Sequence, residues 1–188
     1  MIEFHFSFFA AVSLMMIIAP NGLAIWGLTA CIIHELGHLF AMIIMGQRAD
    51  KIVFYGAGIK IIKKNYNSRT SFDKEIFILI SGVLLNFIVF LALAPLDGNF
   101  RLFGIINLII AMFNLLPLKS FDGGKLITTL FYKFFDYSRA ITFDNYLQKI
   151  NLFLSIAAII IFYIFGYRNF TFYLTILYLL ITELVSSE

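Results

Sequence analysis

The strongest constraint on how this chain folds is one apolar run, residues 23–45, which is long enough to cross a lipid bilayer as a single helix. Three ionisable side chains, His34, Glu35 and His38, interrupt the run near its middle. Each such side chain at the centre of a spanning helix costs about 2.5 to 3.5 kcal/mol on insertion scales. The grouping therefore predicts a membrane helix that carries a functional site.

The spacing of the two histidines indicates the kind of site. A helix repeats about every 3.6 residues, so His34 and His38 lie one above the other on one face and can both bind one zinc ion. Glu35 lies beside them, where it is placed to take a proton from an attacking water molecule rather than to bind the metal. The alternative is a polar patch that holds membrane helices together by hydrogen bonds.

The rest of the chain is equally apolar. Hydrophobic residues make up 61% of its 188 residues and charged residues only 13%, far from the composition of a soluble domain. Six apolar segments predict an all-α polytopic membrane protein with about six transmembrane helices, of which the first and the last two are near the lower length limit for spanning. The segments are residues 4–19, 23–45, 76–94, 102–118, 150–165 and 170–185.

The distribution of basic residues predicts the orientation of these helices. Six crossings would place both termini on one side of the membrane, together with the loops at 46–75 and 119–149. Of the 14 Lys and Arg residues, Arg101 and Arg168 fall on the opposite side, which leaves 12 on the shared side. The positive-inside rule then assigns both termini to the cytoplasm, and we expect a bacterial cell membrane. The net charge of +3 has the same origin, so nothing favours nucleic-acid binding.

A zinc site needs a third protein ligand, and Asp122 is the strongest candidate. Pro117 cannot continue a helix, and the Asp-Gly-Gly sequence at 122–124 permits a tight turn. The fourth segment should therefore break here and present Asp122 from irregular backbone, which is tolerated at membrane depth only where protein or a water-filled cavity surrounds it. Asp-Gly is also an ordinary turn dipeptide, so the residues alone leave ligation open. Cys31 is expected to be a small buried apolar residue and His5 an interfacial side chain, rather than ligands.

Two motifs together resemble a known family. The metal motif at 34–38 and the Asn-x-x-Pro-x-x-x-Phe-Asp-Gly motif at 114–123 are similar to those of the site-2 protease family of intramembrane zinc metalloproteases. Residues 81–86 resemble the family's Gly-Pro-x-x-Asn element, with Val83 where proline is usual. The resemblance covers about residues 24–126. It implies a catalytic core of three helices there, inside a single membrane-embedded domain formed by residues 1–188.

The resemblance also implies roles for individual residues. It makes His34, His38 and Asp122 the ligands of one zinc ion and Glu35 the residue that activates the attacking water. Asn86 is expected to hydrogen-bond the substrate backbone or the developing oxyanion, or else to make an ordinary bond between helices. Members of the family cut membrane-anchored proteins within or near their spanning helices. The implied partners are therefore the lipid bilayer and a membrane-anchored protein substrate, and a regulatory membrane partner is left open.

Residues 52–62, which are rich in β-branched and aromatic side chains and divided by Gly-Ala-Gly, predict a short β-hairpin after the metal helix. An exposed strand edge at that place would pair with an unwound segment of substrate.

The compact chain has no room for an inserted PDZ domain, and it resembles the sporulation-factor branch of the family without that branch's CBS domain. Two other classes stay open. A metal transporter or sensor would want further acidic or histidine residues in the spans, and a catalytically silent member would bind membrane helices without cutting them. The presence of Glu35 beside both histidines argues against the silent member.

Overall fold

The computed structural model describes residues 1–18, 22–47, 49–55, 58–63, 71–119 and 121–185. These residues form three strands and seven helices, and the chain divides into two compact units, Met1–Asn114 and Leu115–Glu188. The strands are β1 Ile2–Phe4, β2 Ala49–Tyr55 and β3 Gly58–Lys63. The helices are α1 Phe6–Ile18, α2 Leu23–Ile44, α3 Phe72–Leu93, α4 Asn99–Asn114, α5 Asp122–Phe134, α6 Tyr137–Ile164 and α7 Phe170–Val185.

Three of these helices, α2, α3 and α6, are long and apolar enough to cross a membrane. The mainly helical membrane fold is therefore as predicted, but six crossings are not confirmed for the described residues. The reason is length, because α4 and α7 have 16 residues each and α1 has 13. A 16-residue helix is about 24 Å long, whereas the hydrocarbon core of a bilayer is about 30 Å thick.

Two glycines bring α2 and α3 together in the first unit. A Cβ atom on Gly37 would lie 2.6 Å from the carbonyl oxygen of Ser81 and 2.8 Å from the Cα atom of Gly82. Only glycine fits such a close approach of two helix backbones. The helix α3 is continuous through Val83, as expected for a residue that keeps its backbone N–H.

The predicted hairpin is present as the antiparallel pair β2–β3, although its turn residues Gly56 and Ala57 lie outside the described residues. The sheet has a third strand that the sequence does not predict. The strand β1 pairs in parallel with β2, with Ile2 opposite Ile52, and Glu3 forms a 2.5 Å ion pair with Lys51. The sequence predicts that an apolar helix begins at residue 4. The strand is missed because three residues are too few to show the alternating pattern of a strand.

The sheet packs against the metal helix. Ile61 of β3 contacts a buried cluster formed by Ala41 and Met42 of α2 and Ile78 of α3. Burial of this apolar surface holds β3 beside the part of α2 that follows His38.

In the second unit, the backbone around residue 122 differs from the prediction. Asp122 is the first residue of α5 and does not lie in irregular backbone. The glycines that follow it have no positive φ, so they do not serve a tight turn. A Cβ atom on Gly123 would collide with the carbonyl oxygen of Leu115, and one on Gly124 with that of Leu118. Both positions need glycine because the preceding backbone packs directly on the start of α5.

The helix α6 begins earlier than the apolar segment at 150–165 predicts. It runs for 28 residues from Tyr137, so residues 137–149, which were predicted to belong to a loop, form its more polar first half. Phe143 of this half stacks on Phe131 of α5, with ring centroids 3.4 Å apart.

Candidate metal centre

The two histidines of α2 form the first part of the site. Both side chains are buried, His34 at 4% exposure and His38 at 7%, and their Nε2 atoms lie 3.1 Å apart. Two nitrogen ligands of a tetrahedral zinc ion are about 3.3 Å apart when each Zn–N distance is about 2.05 Å. The imidazole pair is therefore arranged almost as one zinc ion requires.

A backbone carbonyl on α3 fixes the protonation of His38. Its Nδ1 donates to the carbonyl oxygen of Ile78 at 2.7 Å, because a carbonyl oxygen can only accept. The Nε2 atom of the neutral ring then carries the lone pair. Ser81 Oγ donates to the same oxygen at 2.6 Å and helps to hold it in place. A hydrogen bond of this kind on the remote ring nitrogen is typical of histidines that bind metals.

Gly82 of α3 faces both imidazole rings. A Cβ atom at this position would lie 2.5 Å from His38 Nε2 and 2.9 Å from His34 Cε1. The absence of a side chain at Gly82 makes room for the two rings. The sequence includes this glycine in a family-like element but does not predict its contact with the ligands. The signal that could have found it is a glycine in the interior of an apolar helix, where glycine is otherwise unfavourable.

Glu35 follows His34 in α2, and its side chain is partly exposed whereas the two imidazoles are buried. A carboxylate that is partly accessible can exchange protons with a water molecule more readily than one that is fully enclosed.

Asp122 in the second unit is 7% exposed. Its position at the start of α5 places the carboxylate at the positive end of the helix dipole, which stabilises negative charge. Lys125 lies one turn further on, and its Nζ atom is 3.5 Å from Asp122 Oδ1. Because Lys125 is half exposed, solvent screening makes this ion pair a weak one.

As a donor set, His34, His38 and Asp122 fit a single zinc ion. Two imidazoles and one carboxylate are a known ligand combination for zinc, and they leave one position for water. Cys31 and His5 do not belong to any group of candidate ligands among the described residues. Cys31 of α2 is exposed, so the prediction that it is buried is wrong.

Asn86 of α3 is fully buried and bridges two helices. Its Nδ2 atom donates to the carbonyl oxygen of Ala30 in α2 at 3.4 Å, so the ordinary bond between helices is present. Its Oδ1 atom has no hydrogen-bond partner among the described residues. Contact with a substrate stays a prediction for this residue.

The fold and the donor set define a helical membrane protein with a buried zinc-type site. A model of peptidase family M50 matches residues 96–158. Stage IV sporulation protein FB of Bacillus subtilis is 31% identical over 117 residues, which cover 58% of this chain and 40% of that protein. A putative zinc metalloprotease of Synechocystis sp., sll0528, is 29% identical over 108 residues, which cover 52% of this chain and 28% of that protein. The chain therefore spans less than half the length of either relative.

A solved structure has the same fold. The site-2 protease from Methanocaldococcus jannaschii superimposes with a TM-score of 0.71 at 21% identity, over 100% of this chain and 90% of that one. This likeness concerns the fold, and the family model and the two relatives agree with the resemblance to the site-2 protease family that the motifs predict.

Proposed function

We propose that this protein is an intramembrane zinc metalloprotease that hydrolyses peptide bonds of membrane-anchored substrates within or near their transmembrane segments. His34, His38 and Asp122 hold the zinc ion. The observation that carries the proposal is the pair of buried imidazoles on a helix of spanning length, with Nε2 atoms 3.1 Å apart. Buried polar groups inside an apolar helix are costly, and a metal site accounts for all of them together.

The residues of the chain divide the chemistry between them. A zinc ion held by His34, His38 and Asp122 would polarise the scissile carbonyl and make a nearby water molecule more acidic. Glu35 accepts a proton from the attacking water and then delivers a proton to the leaving amine. The hydrogen bond from His38 to the Ile78 carbonyl keeps the imidazole in the tautomer and orientation that a ligand needs. Asn86 offers an amide to the substrate backbone or to the oxyanion.

Water and substrate must both reach a buried site. We propose that water enters from the cytoplasmic side, where the basic loops and both termini lie. A helical substrate must also unwind, because its amides are tied up in hydrogen bonds. The sheet order is β1–β2–β3, so both edges of β2 are paired, and the outer edge of β3 has no strand beside it among the described residues. We propose that an unwound segment of the substrate pairs with this outer edge.

The role of the β3 edge is tested by proline substitution at Ile59 and at Lys60. Adjacent residues of a strand direct their backbone N–H groups to opposite edges, so one of these two groups faces the outer edge of β3. One of the two should lower cleavage strongly, because proline removes a backbone donor from the edge. Zinc content should stay unchanged in both variants. Native cleavage rates in both would remove the strand-pairing part of the proposal.

The experiment that tests the function measures zinc content and cleavage of a membrane-anchored reporter in liposomes. Glu35→Gln should keep its zinc and lose cleavage, and Asp122→Ala should lose both. Matched controls are Glu75→Gln in α3 and the exposed Asp97→Ala before α4, which should behave like the native chain. An active Glu35→Gln variant would refute the assigned chemistry.

Two outcomes would favour the other classes. Metal transport into liposomes that survives in Glu35→Gln would favour a transporter that uses the same ligands. Zinc binding without cleavage, combined with capture of membrane helices that survives Glu35→Gln, would favour a silent family member.

A further inference from the structure

A side chain in the polar first half of α6 contacts side chains that lie on both sides of Asp122 in the sequence. Asp144 Oδ2 forms an ion pair with Lys119 Nζ at 2.8 Å, and Asp144 Oδ1 accepts a hydrogen bond from Thr128 Oγ1 at 3.0 Å. Lys119 lies three residues before Asp122, and Thr128 lies six residues after it. One carboxylate therefore connects the segment that leads into α5 with the body of α5.

Asn151, about two turns further along α6, makes a second attachment. Its side chain is 4% exposed, and its Nδ2 atom donates to the carbonyl oxygen of Pro117 at 2.6 Å. Pro117 lies between the end of α4 and the start of α5, outside the hydrogen-bond pattern of either helix, so its carbonyl needs a partner from elsewhere. The buried amide of Asn151 supplies that partner.

The ion pair between Lys119 and Asp144 is largely shielded from solvent. The side chains of Lys119 and Asp144 are only 14% and 22% exposed, so the pair is less screened than an ion pair at the surface. Removing one partner of a mostly buried pair leaves the other charge uncompensated. The segment that leads into α5 also packs closely on the start of that helix. The carbonyl oxygens of Leu115 and Leu118 approach Gly123 and Gly124 so closely that neither position has space for a side chain.

We propose that Asp144 and Asn151 are positioning residues that fix the place of Asp122 for zinc binding. This inference rests on the proposed function, because it takes Asp122 to be the third ligand. Asp144 acts through Lys119 and Thr128, and Asn151 acts through Pro117. Neither residue touches the metal or the substrate. Residues that orient metal ligands in this way typically change metal affinity by about 10- to 100-fold when they are replaced.

The test uses the full chain in detergent and measures zinc affinity by competition with a chelator, together with the visible spectrum of the Co²⁺-loaded protein. Asp144→Asn and Asn151→Leu should each weaken zinc binding by about 10- to 100-fold and alter the Co²⁺ spectrum. Asn145→Leu is the matched control, because Asn145 is an exposed neighbour on the same helix. It should keep the native affinity and spectrum.

A second set of variants separates positioning from general damage to the fold. Asp144→Glu keeps the charge and should recover most of the affinity lost in Asp144→Asn. The double variant Asp144→Asn with Lys119→Met should bind zinc no more weakly than Asp144→Asn alone, because both substitutions break one ion pair. Additive losses would overturn the assignment of Asp144 to Lys119.

The result for Asp122→Ala distinguishes this inference from the proposed function. If Asp122→Ala binds zinc weakly while Asp144→Asn and Asn151→Leu keep native affinity and spectrum, the positioning role is wrong and the ligand set stands. If Asp122→Ala binds zinc as tightly as the native chain, the ligand set itself is wrong and the positioning role falls with it.

Discussion

Replacement of Gly82 by alanine should damage the metal centre although Gly82 has no side chain to lose. The new Cβ atom would lie 2.5 Å from His38 Nε2, which is about 0.9 Å short of the 3.4 Å at which ordinary contact begins. It would also lie 2.9 Å from His34 Cε1, so neither imidazole ring can move aside without pressing on the other ring. Ligand distances in metal sites vary by only about 0.2 Å, so a displacement of this size is several times the tolerance.

We expect Gly82→Ala to weaken zinc binding by about 100-fold, at the upper end of the range for residues next to a metal ligand. Overpacking should also lower the free energy of unfolding by about 1 to 3 kcal/mol. The assay is chelator competition, with circular dichroism to verify that the helices remain. Gly27→Ala in α2 is the matched control, because a Cβ atom there has nothing within 4 Å. Zinc affinity in Gly82→Ala equal to that of Gly27→Ala and the native chain would refute the packing of the two rings against Gly82.

Three further predictions concern the surroundings of the ligands. Gly124→Ala should lower zinc affinity and stability together, because its Cβ atom would collide with the Leu118 carbonyl, and thermal unfolding with and without zinc measures both effects. Ser81→Ala should change zinc affinity by no more than about threefold, because the Ile78 carbonyl keeps its bond from His38, and a loss beyond about 30-fold in chelator competition would contradict this. Zinc at about 1,000 times its dissociation constant should stabilise the native chain by about 4 kcal/mol, and His34→Ala should abolish the shift in thermal unfolding.

The metal helix could be predicted from the sequence because its signals are local. The spacing of His34 and His38 and the surrounding apolar run all lie within one helix. The end of the helix before Asp122 was also predictable from Pro117, but the conformation of the backbone at Asp122 was not. The sequence suggests a turn where the structure has the start of a helix, because the close approach of the Leu115 and Leu118 carbonyls leaves no trace in the sequence.

The missed features all depend on contacts between distant parts of the chain. The strand β1 is defined by its pairing with β2, about fifty residues away, and not by a pattern of its own. The roles of Asp144 and Asn151 cannot be read from the sequence, because their partners Lys119 and Pro117 lie far away in the chain. The predicted number of membrane crossings is not confirmed for a different reason, since apolar composition does not show that α4 ends after 16 residues.

Zinc K-edge X-ray absorption on the purified native chain, with the zinc content measured on the same sample, tests the proposed zinc site most directly. We expect one zinc ion per chain, with two imidazole nitrogens and oxygen ligands at about 2.0 to 2.2 Å, and loss of the imidazole signal in His34→Ala. A sulfur ligand at about 2.3 Å, or a fully loaded His34→Ala variant with an unchanged spectrum, would contradict it.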